Sequence, residues 1–197
     1  MVANKIFHKK IEDGNTVQQI GFSDQVTFGD VVRFSTRYRV AKSFEGVILK
    51  DFSKATVDGY NALFRLFLSW SAFEQLLKIT GAKQSDEEVA RLFDSHESQK
   101  LCDSIRKYDK NNTLYLFIIS QVNNSHKVEI EKHFAGREIN SSYLASAIRH
   151  IFVHGQLTPH TNNTNPKSLV KICDKMSYFL LQVMNSEFDN IVTRANV

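Results

Sequence analysis

Proline is nearly missing from this sequence. There are 2 prolines and only 8 glycines among 197 residues. So few breakers in so long a chain exclude a fold of many short strands and tight turns, and they favour long helices. Cysteine is as scarce. Cys102 and Cys173 lie far apart and neither has a CxxC partner, which excludes a thiolate zinc site and a disulfide framework. Both are expected as buried thiols in a reducing compartment. No run of five or six like charges forms a tail. No segment has the length of a membrane span: the longest apolar cluster, Leu63 to Trp70, is interrupted by Arg65 and Ser69, and Met1 to Lys10 has no apolar signal core. These absences predict a cytoplasmic protein without a membrane partner.

The hydrophobic share is 42% and the charged share 23%, a globular balance. With 15 phenylalanines, the core should be rich in Phe. The length suits one domain with a real core. A net charge of +4 and a pI near 9.0 permit nucleic-acid binding without demanding it.

Periodicity predicts an all-α fold, an antiparallel helical bundle. The first 25 residues are polar, carry Gly14 and Gly21, and read as an irregular lead-in. Between Val26 and Lys50, Val32, Phe34, Thr36, Tyr38 and Val40 alternate with polar residues as in a strand. Phe28, Val31, Val32, Ser35 and Tyr38 equally form a helical face, with Thr27 as a cap. The helical reading agrees better with the rest of the chain.

Ala55 to Thr80 is the clearest helix, with Tyr60, Leu63, Phe64, Phe67, Leu68, Phe73, Leu76 and Leu77 as its apolar stripe and Gly81 as its stop. Ser85-Asp86-Glu87-Glu88 has capping-box spacing and opens a helix to about Arg106. Asn111-Asn112-Thr113 is a break, and Leu114 to Val122 is a short helix, or a strand on propensity alone. Asn140 to Val153 is a helix capped by Asn140 or Ser141 and ended by Gly155. Thr158 to Pro166 is a polar loop, and Pro166 to about Val192 is the last long helix. The division that follows is an N-terminal extension over 1–50 and a helical bundle over 51–197, one compact unit overall.

One segment concentrates chemistry: Ala147-Ile148-Arg149-His150-Ile151-Phe152-Val153-His154-Gly155. It sets a permanent cation, a polar residue and a titratable ring at the end of a helix, before a polar loop. Here the sequence resembles the HEPN family, whose signature is an arginine followed by a polar residue and, four to six residues on, a histidine. Arg149, His150 and His154 match that pattern, with four residues between Arg149 and His154. Upstream, Ser69-Trp70-Ser71-Ala72-Phe73-Glu74-Gln75-Leu76-Leu77 looks like the early long helix of such proteins, where an acidic residue interrupts an apolar run. The resemblance covers roughly 55–192.

The resemblance implies metal-independent endoribonuclease chemistry, with 2′,3′-cyclic phosphate and 5′-hydroxyl products. It also implies a homodimer and a setting in toxin–antitoxin or defence and stress biology, with an antitoxin protein as a possible partner. On this reading Arg149 and His154 are catalytic, and His150 and Glu74 support them. A guanidinium fork suits phosphate oxygens, and an imidazole moves protons near neutral pH. No cofactor is needed. Some family members carry a tyrosine two residues after the histidine as a site of modification; here that residue is Gln156, which weakens any reading as a toxin silenced in that way. The alternative is a non-catalytic HEPN-like module that binds RNA, nucleotide or a protein.

Two geometric expectations stand beside the resemblance. Five residues of ideal helix turn through about 500°, so Arg149 and His154 should point roughly 140° apart unless the last turn frays or a second subunit joins them. His150 and His154, four apart, should share a face. No metal is expected: His150, His154 and His160 lack an HExxH pattern and an evident carboxylate third ligand. Arg33, Arg37 and Arg39, with Tyr38, read either as a solvated face or as an RNA contact.

Overall fold

The computed structural model describes residues 2–93, 95–135, 140–160 and 164–194. Among the described residues there are nine helices and no strand: α1 (Val2–Glu12), α2 (Phe28–Ser43), α3 (Lys54–Thr80), α4 (Glu87–Leu92), α5 (Ser95–Tyr108), α6 (Thr113–Gln121), α7 (Asn124–Phe134), α8 (Ser142–Val153) and α9 (Pro166–Arg194). None of them is long and apolar enough to cross a membrane.

The ambiguous segment after Val26 is a helix because a capping box starts it. Thr27 Oγ1 accepts the Asp30 N–H at 3.3 Å, and Asp30 Oδ2 accepts the Thr27 N–H at 3.1 Å. The Asp30 carboxylate is almost buried and also takes Lys78 Nζ at 2.7 Å and Arg33 Nη2 at 2.6 Å. Lys78, then Arg33 and Thr27, hold it far below the usual carboxylate range. This network ties α2 to α3, and the pair continues antiparallel. Arg37 Nη1 donates to the Ser71 carbonyl at 3.3 Å, and the Val47 N–H donates to Asn61 Oδ1 at 2.7 Å.

α3 is the axis of the molecule. α9 runs beside it in the same direction: Arg65 pairs with Asp174, and farther along Phe93 bridges Phe73 and Phe179 at ring separations of 5.7 Å. α8 runs the opposite way, with Phe152 against Phe64 at one end and Gln84 Nε2 donating to Ser142 Oγ at 3.1 Å at the other. The turn after α8 settles onto α3 at Gly59, where a β-carbon would come within 2.6 Å of Pro159, so only glycine fits. α6 and α7 pack on α8, and α5 packs on α9.

Three expectations are corrected. The lead-in is not irregular: Val2–Glu12 is helical, and its Ala3 and Phe7 are buried. Phe7 joins Phe22, Phe34 and Phe188 in a ring cluster, with Phe34 and Phe188 5.2 Å apart, so residues of the first fifty share the core of α3 and α9. The helix expected from Ser85 to Arg106 is two helices, because Phe93 leaves the helical path to insert between α3 and α9; Asp86 bonds the Lys83 N–H instead of capping α4. The apolar stripe of α3 is buried only in part. Leu63, Phe73, Leu76 and Leu77 are covered, along with Leu66 and Trp70, whereas Tyr60, Phe64, Phe67 and Leu68 remain partly exposed. α7 was not anticipated. Residues 161–163 of the expected polar loop lie outside the described residues.

Candidate functional site

The residues expected to carry chemistry sit on α8 and the helices beside it. Asn140 Oδ1 accepts the Ser142 N–H at 3.1 Å at the start of α8. The apolar face Leu144, Ala147, Ile148 and Ile151 is buried, which fixes the rotation of the helix and sends Arg149 and His150 to its margin. The helix ends at His154, whose N–H bonds the His150 carbonyl at 3.1 Å. Gly155 then takes φ +73°, a left-handed conformation open to glycine, and the Gln156 N–H closes back on the Ile151 carbonyl at 3.0 Å.

Arg149 leans toward α3. Its Nη2 is 3.8 Å from Glu74 Oε1, with the side chains 30% and 44% exposed. That separation is too long for a hydrogen bond, so Glu74 orients the guanidinium by charge alone. Arg149 Nε is buried and has no hydrogen-bond partner among the described residues. The arginine thus holds one unsatisfied donor at the edge of the core.

His150 and His154 lie together as their spacing predicts, with ring centroids 4.4 Å apart and planes at 59°. Both are exposed. The contacts of Arg149 go to α3, and the ring contact of His154 goes to His150. One chain therefore does not pair the arginine with the distal histidine, in keeping with their angular separation on the helix. His160 belongs elsewhere: its Nε2 is 3.0 Å from Thr56 Oγ1 on the first turn of α3, about 27 Å along that helix from Glu74. Among the described residues, no three of His, Cys, Asp and Glu stand together as a metal site.

One residue of the cluster was missed by sequence reasoning. His126, on α7, has Nε2 3.2 Å from Ser146 Oγ of α8 and Nδ1 3.1 Å from Asn123 Oδ1, and its ring stands edge-on to Tyr143 at 5.3 Å. Asn123 Oδ1 also accepts the His126 N–H at 3.1 Å, so it is an acceptor and His126 Nδ1 carries the proton. In the neutral ring Nε2 is then left to accept from the Ser146 hydroxyl. Burial, and secondly the nearby His150, push the His126 pKa down. The result is a neutral imidazole of fixed tautomer beside two exposed ones. The signal in the sequence was Asn123-Asn124-Ser125-His126, a helix-capping run whose histidine lands in the first turn.

Chemically, this region offers a partly exposed guanidinium, a pair of exposed imidazoles and a serine hydroxyl held by a neutral histidine. No protein-family model, no curated protein and no solved structure matches the chain.

Proposed function

We propose that the chain is a metal-independent endoribonuclease of the HEPN kind, acting as a homodimer, with Arg149 and His154 as its catalytic residues. The observation that carries this reading is Arg149, a guanidinium drawn toward Glu74 at 3.8 Å with 30% of its side chain still exposed. A phosphodiester oxygen suits the exposed part of that guanidinium, and the charge that builds on the phosphate strengthens the contact.

His154, exposed beside His150, supplies the proton transfer. The RNA 2′-oxygen loses its proton and bonds to phosphorus; the bond to the 5′-oxygen breaks and that oxygen is protonated. A 2′,3′-cyclic phosphate and a 5′-hydroxyl result, with no change of oxidation state. A second subunit in this reading brings its own motif to the same crevice and resolves the divergence of Arg149 and His154. The resemblance extends the proposal to a toxin or defence role with a possible antitoxin.

The divergence itself favours the second reading, a non-catalytic RNA-binding module that uses Arg149 and has no need of His154. Incubating purified protein with mixed RNA in EDTA decides between them. Cleavage that drops by about 10²-fold or more in both Arg149→Ala and His154→Ala supports the enzyme. Binding that depends on Arg149, with no cleavage by the wild type, supports the module.

A further inference from the structure

We propose that the partly exposed strip of α3 between α2 and α8 is the track on which single-stranded RNA reaches Arg149, with Arg37 gripping phosphate and Phe67 stacking a base. The identification of RNA rests on the reading above; the surface itself does not.

Tyr60, Phe64, Phe67, Ser71, Glu74 and Lys78 recur at three- and four-residue intervals and so form one row along α3. Every member is partly or largely exposed, although the aromatic ones lie on the stripe whose other members build the core. The row divides by chemistry. Toward the start of α3 its floor is aromatic. Toward the end it is polar and flanked by cations from two neighbouring helices. Arg37 of α2 is exposed and donates to the Ser71 carbonyl and to Ser71 Oγ, both at 3.3 Å. Arg33, four residues before it, and Lys78 each stay 59% exposed while sharing the buried Asp30. Arg149 enters from α8 over Glu74.

The four cations face two carboxylates, so the strip is net positive and Arg37 lies against no carboxylate in it. Arg39 sits about 200° round α2 from Arg37 and takes no part.

A cationic edge running beside partly exposed aromatic rings suits an unpaired strand. Phosphates are drawn to the charge, and the exposed bases find a π surface. A duplex hides its base faces and has no use for the aromatic half. Single-stranded RNA is also what the proposed chemistry at Arg149 requires, because its nucleophile must swing into line with the scissile bond.

The test separates this surface from catalysis by using His154→Ala protein in EDTA. Binding of a fluorescein-labelled single-stranded RNA of roughly 12 nucleotides is followed by anisotropy over a salt series. Arg37→Ala is expected to weaken binding about tenfold and to flatten the salt slope by about 0.7, the value for one single-strand phosphate contact. Phe67→Leu keeps an apolar side chain at the site and removes only the ring; it is expected to weaken binding about tenfold with little change in salt slope. Arg39→Ala is the control and leaves both unchanged.

Unchanged affinity in Arg37→Ala and Phe67→Leu overturns the track, as does equal affinity for duplex RNA. A shift in oligomeric state in Phe67→Leu without loss of RNA affinity overturns it too, by assigning the strip to a second copy. If the track mutations weaken binding and the wild type fails to cleave, the track stands and the ribonuclease reading falls. If the wild type cleaves and the track mutants bind normally, the reverse holds.

Discussion

On the flank of α3 that meets α2 and α9, three phenylalanine rings close around Phe188, and the charged group driven inward there, Asp30, is answered by Lys78, Arg33 and Thr27. On the seam between α7 and α8 the contacts are of another kind: a histidine to a serine, a histidine edge-on to a tyrosine, two histidines in the open. The first flank draws most of its stability from buried area, which does not titrate, and its Asp30 network weakens only as pH falls below the ordinary carboxylate range. The second draws it from single polar contacts worth about 1 kcal/mol each, some of which titrate. A molecule arranged this way can alter its chemistry at the seam without endangering its fold.

Substitutions break the comparison in graded fashion. Phe188→Ala should cost the most, about 3–5 kcal/mol, because it empties the meeting point of α1, α2 and α9; urea denaturation measures it, and a loss below 1 kcal/mol would deny the cluster its central place. Thr27→Ala removes half of the capping box and should cost about 1–2 kcal/mol in the same assay.

His126→Gln tests the seam by its pH dependence. The folded His126 pKa lies below the ordinary value of 6.5, so as pH falls through that value the unfolded chain takes up the proton first. The native protein loses stability until the folded pKa is reached, and the loss levels off below it. Melting curves from about pH 8 to about pH 5 should show a steeper decline for the wild type than for His126→Gln. Parallel curves would mean that the ring is not held neutral. Glu74→Gln should have the smallest effect, within about 0.5 kcal/mol, since its pairing with Arg149 is long and partly solvated. A larger loss would show that the arginine is a structural anchor.

How much of this was written in the sequence depended on how many residues carried each signal. α3, α8 and α9 were legible because at least six apolar positions in each repeat at helical spacing, and the polar residue and glycine at the ends of α8 marked its limits. The shared face of His150 and His154 followed from their spacing, and the approach of Glu74 to Arg149 was an expectation drawn from a resemblance. α1 was not legible because it buries only Ala3 and Phe7, too few to set a period. Local propensity also could not reveal the break at Phe93, which tertiary contacts with Phe73 and Phe179 impose. His126 stayed hidden for a related reason: its importance lies in a hydrogen bond to Ser146, twenty residues away.

The two cysteines give this arrangement an internal reporter. Neither forms a disulfide; both are buried, Cys102 on α5 and Cys173 on α9. Burial pushes the Cys102 thiol up to about 12 and the Cys173 thiol higher still. Thiolate is the species that attacks alkylating reagents, so the intact protein should be inert to them, and each sulfur should become reactive only when its own helix comes away. Labelling kinetics resolved by mass spectrometry would therefore time the separation of α5 and of α9 independently, with no added probe.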